Sequence, residues 1–272
     1  MIDARLVERY RVAAASTRAV LDEMSTRLRV GMSELEAAKE LKSLAFERGA
    51  RGVFHAPVVL FGDRTALQGA GPDGAEGEAP LSRLALLPTG RTLADDEPVI
   101  LDCAPLWDGV PGDVSTTVAF GEVPGLEELQ QALGELREAI LRGVVAGQTK
   151  RQLVQEIDSF AHERGLRSCR HAYAGGAAGH RIPGVGPAFL RHGELVGLGL
   201  VTAGYLTLTT LLGKLGMRES WPFWSDGRAA DTPPSVGLWS VEPHLARGNV
   251  GAKWEDVLVR DVDEVRWIAD GS

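Results

Sequence analysis

A chain of 272 residues is long enough to bury one large mixed core or two small ones. Its 44% hydrophobic and 24% charged residues are those of an ordinary globular protein in water, and a net charge of −8 with no block of Lys and Arg argues against nucleic acid as a partner. Two cysteines, Cys103 and Cys169, are too few for a disulfide-stapled secreted domain. The opening MIDARLVERYRVAAAS spreads charges where a signal peptide needs an apolar core, so the cytoplasm is the expected compartment.

The pattern predicts an amphipathic helix over about 3–28 and a second one opening on a capping box, Ser33 with Glu36, and closing at Gly49. Its apolar stripe reads Leu35, Ala38, Leu41, Ala45. A strand is expected at Val58–Phe61, then a Gly- and Pro-rich surface loop over Gly69–Pro80. Strands follow at Pro98–Ala104 and Thr116–Phe120, with Asp108-Gly109 offering a tight hairpin turn between them. A helix over about 125–144 comes next, and then a segment that repeats the first half. Gly31-Met32-Ser33 and Glu47-Arg48-Gly49 recur as Gly147-Gln148-Thr149 and Glu163-Arg164-Gly165, both at an offset of 116. Thr149 and Gln152 form the second capping box, and Val154, Ile157 and Ala161 the second stripe.

Leu195–Gly213 is uncharged and long enough to span a membrane, but it holds four glycines and four threonines. Leu206 and Leu208 alternate with Thr207 and Thr209, which favours a half-buried strand over a span. Strands at Val236–Glu242 and Glu255–Val259 complete the pattern. It reads as an α+β chain of two related halves, about 1–121 and 122–272, forming one domain over 1–272.

Five residues carry the chemistry. Asp102 ends the apolar run Val99-Ile100-Leu101, and Asp113 lies beyond the turn, so neighbouring antiparallel strands would bring the two together. His180 sits in a loop of small residues, Gly175–Gly179, where backbone can approach a metal closely. Glu242 ends a strand-like run that would bury it, which asks for a partner or a cation. Glu255, followed by Asp256, heads the last strand. Four carboxylates and an imidazole suit two hard or borderline divalent cations, and such a pair acidifies water for hydrolysis. No phosphate-binding Gly-rich loop ending in Gly-Lys-Ser/Thr and no Gly-x-Ser-x-Gly is present, and Cys103 is expected to be a packed, inert thiol.

The motifs Leu101-Asp102, Gly112-Asp113 with Ser115 and Thr117, Gly179-His180, Val241-Glu242-Pro243 and Gly251-x-Lys253-x-Glu255-Asp256 occur in one order over nearly the whole chain. Together with the duplication, they resemble the pita-bread family of methionine aminopeptidase, Xaa-Pro dipeptidase (prolidase) and creatinase. The resemblance implies a pita-bread fold, two pseudo-symmetric helix-helix-strand halves around an antiparallel sheet. It implies two divalent ions (Mn, Fe, Co or Zn). Asp102, Asp113 and Glu255 would hold one; Asp113, His180, Glu242 and Glu255 would hold the other. Glu242 would also shuttle a proton. The implied activity is hydrolysis of a peptide or amide C–N bond in a short peptide or small molecule, with a homodimer suggested by prolidase-like relatives.

The chain departs from the family at two substrate-facing histidines, whose positions are Gln68 or Gly69 and Pro187, and at an arginine whose position is Thr116. That favours, as the alternative, a non-peptidase enzyme on this scaffold, such as one hydrolysing an amidine. His55, His171, His192 and His244 carry no assigned role. His171 and His244 are expected to replace the missing side chains, and Trp224, in the cluster Trp221-Pro222-Phe223-Trp224, to roof the pocket. A catalytically silent binding module is the third reading, and the intact ligand set speaks against it.

Overall fold

Capping and periodicity place the helices. In the computed structural model, which describes residues 1–68, 85–173, 176–182, 194–195, 198–199, 211 and 221–270, α1 (Ala4–Arg27) begins where the Asp3 side chain accepts from Arg5 N. It buries Tyr10, Ala13, Thr17, Val20, Leu21 and Met24 along one stripe. Helices α2 (Glu34–Glu47) and α4 (Lys150–Glu163) open on the two capping boxes, Ser33 with Glu36 and Thr149 with Gln152, while α3 (Leu126–Val145) precedes α4. From α2 to α4 both ends shift by the same 116 residues. The buried face of α2 differs from the expected stripe. It is Ala37, Leu41, Leu44 and Ala45 with Glu34, and Leu35 faces solvent. The face turns because Glu34 is drawn inward by four donors: Phe61 N, Thr89 N, Thr89 Oγ1 and the Arg64 guanidinium.

The strands are β1 (Val58–Phe61), β2 (Glu97–Cys103), β3 (Leu106–Trp107), β4 (Val110–Pro111), β5 (Val114–Phe120), β6 (Arg167–Ser168), β7 (Gly179–Ile182), β8 (Glu194–Leu195), β9 (Leu198–Gly199), β10 (Gly237–Val241), β11 (His244–Arg247), β12 (Val250–Lys253), β13 (Asp256–Arg260) and β14 (Val265–Trp267). All strand pairings among the described residues are antiparallel. The first half gives a sheet β1-β2-β5. The second gives β7-β10-β13 with β14 at its edge, and a smaller sheet β6-β11-β12. The hairpin β3-β4 turns on Asp108 (φ 45°) and Gly109 (φ 76°), both left-handed, as a two-residue hairpin twist requires.

The halves interlock. The core under α1 and α2 takes in Leu238, Val257 and Val259 from the second half as well as Val59, Val99 and Leu101 from the first. A second core packs α3 and α4 on Trp224, Trp239 and Trp267. At the seam, Ser115 bridges to Glu255, and the Thr117 hydroxyl both donates to Lys253 O and accepts from Lys253 N, each at 2.8 Å. The loop over Gly69–Pro80, His192, Pro187 and most of Leu195–Gly213 lie outside the described residues. No helix among the described residues is long and apolar enough to cross a membrane.

Candidate metal centre

The ends of strands deliver the carboxylates to this seam. Asp102 lies on β2, the middle strand, opposite Val58 of β1 and Ser115 of β5. Asp113 directly precedes β5. Gly112 before it presses flush on α1, where a Cβ would stand 2.5 Å from the Ala13 carbonyl oxygen and 2.2 Å from the Thr17 hydroxyl, so only glycine lets the chain reach this point. His180 is on β7 opposite Ser240. Glu242 follows β10, its N–H donating to Ala178 O at 3.0 Å, and Glu255 directly precedes β13.

The five expected ligands converge. His180 Nε2 is 3.4 Å from Asp113 Oδ2 and 4.0 Å from Glu255 Oε1. The Ser240 hydroxyl donates to Glu255 Oε1 at 2.6 Å. The Lys253 ammonium stands among the acids, donating to Asp102 Oδ2, and at 3.0 Å to both Glu242 Oε2 and Glu255 Oε2. On the other side His55 Nε2 is 3.1 Å from Asp113 Oδ1 and 3.7 Å from Asp102 Oδ1. Asp113 is fully buried and Asp102 and Glu255 nearly so; the Glu242 side chain, at 11%, is the most exposed of the four.

Crowding of like charge sets the protonation pattern. Burial alone would raise Asp113, but the nearness and positive charge of His180 and His55 outweigh it and hold the carboxyl well below its usual range. Burial, joined by the Asp113 charge, pushes Glu255 well above the usual range. Burial would depress both histidines, yet Asp113 carries His55 up to about 10 and His180 up to about 9. Burial likewise works against the Lys253 charge, and Asp102 and Glu255 overcome it.

The donor set fits divalent cations. Asp102 Oδ1 and Asp113 Oδ2 are buried and accept no hydrogen bond from the described residues, a state that an apolar interior penalises. Among the described residues, two groups have donor atoms within 4.8 Å of one another: His55, Asp102 and Asp113, and Asp113, His180 and Glu255. Asp113 belongs to both. These are mixed O/N sets that Mn, Fe, Co and Zn accept.

Of the residues expected to line a substrate pocket, His244 and Trp224 are buried and His171 is half-buried. His244 is buried, with Nδ1 2.9 Å from the Tyr173 hydroxyl and Nε2 2.6 Å from Thr65 O, so both ring nitrogens are engaged. Burial first, then the Lys253 and Arg167 charges, lowers it to about 3 and keeps the ring neutral. Trp224 is fully buried against Trp239 as a core residue. The Trp221–Trp224 segment does run beside the site, with Phe223 bridging His180, and the next residue in such an alternating run turns inward. His171 is half-buried in a 3-10 turn beside Arg170, with burial and the Arg170 charge lowering it. Gln68 turns its amide to Gly248 O and Asn249, and Gly69 and Pro187 lie outside the described residues. His55 and Lys253 were not among the expected ligands. A signal for Lys253 exists in the sequence: it stands two residues before Glu255, on the same side of an extended chain.

Comparison with known proteins agrees with this geometry. The sequence profile of metallopeptidase family M24 matches residues 8–260. No curated protein matches the chain. The fold is similar to an X-Pro aminopeptidase from Thermotoga maritima MSB8 (TM-score 0.67, 19% identity), covering 100% of this chain and 62% of that one. It is also similar to a prolidase from Thermococcus sibiricus (TM-score 0.66, 18% identity, 100% and 60% covered) and to a methionine aminopeptidase from Thermotoga maritima (TM-score 0.62, 12% identity, 99% and 98% covered). The chain thus spans about three fifths of the first two and nearly all of the third. The profile runs through each of the strand ends that gather the acids, and the protein belongs to metallopeptidase family M24.

Proposed function

We propose that this chain is a metal-dependent hydrolase of a C–N bond in a short peptide or small molecule, aminopeptidase- or Xaa-Pro dipeptidase-like, with two divalent ions on Asp102, Asp113, His180, Glu242 and Glu255. The observation that carries the reading is the pair of bare, buried oxygens on Asp102 and Asp113 at the meeting point of these side chains. Cations bound there supply Lewis-acid polarisation of a carbonyl and acidify water. The chain's own residues do the rest. Glu242, least buried of the four acids, takes a proton from the attacking water and returns it to the leaving nitrogen. Lys253 fixes the orientation of its carboxylate, and Ser240 fixes that of Glu255. Residues 1–272 act as one catalytic domain, in a cytoplasmic protein that pairs as a homodimer.

Elemental analysis and a dipeptide panel test this. The purified chain is expected to hold two equivalents of Mn, Fe, Co or Zn and to release amine from Met-Xaa or Xaa-Pro substrates. No turnover across the panel by a metal-loaded sample defeats the peptidase assignment. The second reading, an amidine or other small-molecule hydrolase on the same centre, draws support from Gln68, which stands at or beside the position where the family has a substrate-facing histidine and whose amide is tied to the β11–β12 turn. Hydrolysis of an amidine by that same loaded sample would establish it.

A further inference from the structure

We propose that His55 is a sixth metal ligand, the imidazole of the Asp102/Asp113 subsite and the pseudo-symmetric counterpart of His180. The inference rests on the dinuclear reading above. The two halves carry sheets of the same order, β1-β2-β5 and β7-β10-β13. Glu242 follows the middle strand of the second half, as Asp102 lies near the end of the middle strand of the first. Glu255 directly precedes the third strand, as Asp113 does. His180 is the second residue of β7, and His55 comes three residues before β1. Each half therefore offers one imidazole and two carboxylates, in the same order along the chain.

Local contacts repeat as well. His55 Nδ1 lies 2.8 Å from the carbonyl of the next residue, Ala56, and His180 Nδ1 lies 3.5 Å from the carbonyl of its own next residue, Arg181. A carbonyl only accepts, so Nδ1 keeps its proton, and a cation that displaces the proton on Nε2 would meet that nitrogen's lone pair, as in a ligating histidine whose second nitrogen is held by an outer partner. Both Nε2 atoms point at Asp113, His55 toward Oδ1 and His180 toward Oδ2. Phe54 packs against both rings, with centroids 6.2 and 6.1 Å away. The separations of 3.1 and 3.7 Å from His55 to Asp113 and Asp102 are close to the ~3 Å that neighbouring donors keep around one cation with ~2 Å bonds. The bare Asp102 Oδ1 supplies the third donor. A nitrogen here makes this subsite favour Fe, Co or Zn over Mg, which prefers oxygen.

X-ray absorption on the zinc-loaded full chain counts the imidazoles directly. The expected result is about one imidazole per zinc averaged over the pair, whereas His180 alone would give about half. In His55→Gln the count falls to about half, and calorimetric titration shows one zinc weakened at least ~10-fold with the other unchanged. Circular dichroism checks that the variant is folded, and the wild-type count stands without it. A loaded wild type with about half an imidazole per zinc, or a folded variant with unchanged count and affinities, overturns the ligation while leaving the metal centre intact. A wild type that takes up no divalent cation overturns both.

Discussion

Glu34 and Asp113 are both carboxylates with no exposed surface, yet the protein treats them differently. Glu34 is saturated: two backbone N–H groups, a threonine hydroxyl and the Arg64 guanidinium donate to its oxygens. Among the described residues Asp113 has a histidine on each side, and its Oδ2 accepts no hydrogen bond from them. A buried acid with donors on both oxygens is architecture, joining α2 to β1 and to the residues around Thr89. A buried acid left with a bare oxygen among other acids is a place for a cation. Burial alone does not separate the two; the completeness of the hydrogen bonding does.

Substitution breaks the comparison most sharply at Asp113. Asp113→Ala is expected to weaken both cations by more than ~100-fold, since outer partners alone reach that size. Elemental analysis after gel filtration reads the loss, and retention of two equivalents would refute the shared role. Glu34→Ala should do the reverse. It strands the Arg64 charge and is expected to cost about 3–5 kcal/mol in urea denaturation, with metal content per folded chain unchanged.

A pH titration of the metal-free protein sharpens the contrast. His55 and His180 have folded values of about 10 and 9, above the 6.5 of an ordinary histidine. Their contribution is therefore complete below pH 6.5 and is lost as pH rises from there through 9 and 10, a fall of about 1–3 kcal/mol once sharing within the cluster is allowed for. The metal-loaded protein should show the opposite slope near neutrality, because cations compete with protons for the same nitrogens. Thermal melts at pH 6.5 and 9.5, with and without chelator, check the sign; parallel slopes would contradict it. The smallest effect belongs to Tyr173→Phe. It removes the hydroxyl from His244 Nδ1 and is expected to cost about 1 kcal/mol in denaturation, with both cations still bound.

Much of the frame was legible in local signals. The two capping boxes predicted the starts of α2 and α4, and the repeat at 116 holds at both ends of these helices. β1 occupies the expected residues, and Asp108-Gly109 makes the expected turn. The five residues expected as ligands come together because each lies at or near a strand end, where sequence pattern and register coincide. What stayed hidden depends on long-range packing. Leu35 faces water because Glu34 finds donors on Phe61 and Thr89, far along the chain. His244 is spent on Tyr173 and Thr65, and Trp224 on Trp239, partners that no local periodicity announces. His55 has an unremarkable neighbourhood in sequence, and only the folded seam sets it opposite His180.

Lys253 gives the seam a further property. Its ammonium is a covalently tethered counter-ion for three of the four acids, so the repulsion that would otherwise force the halves apart is offset by the polypeptide itself. Closure of the fold does not have to wait for a cofactor, unlike small domains that collapse only around zinc. Cations would then load into a scaffold whose charges are already partly balanced, and a chelator should abolish turnover while leaving the far-UV circular dichroism unchanged.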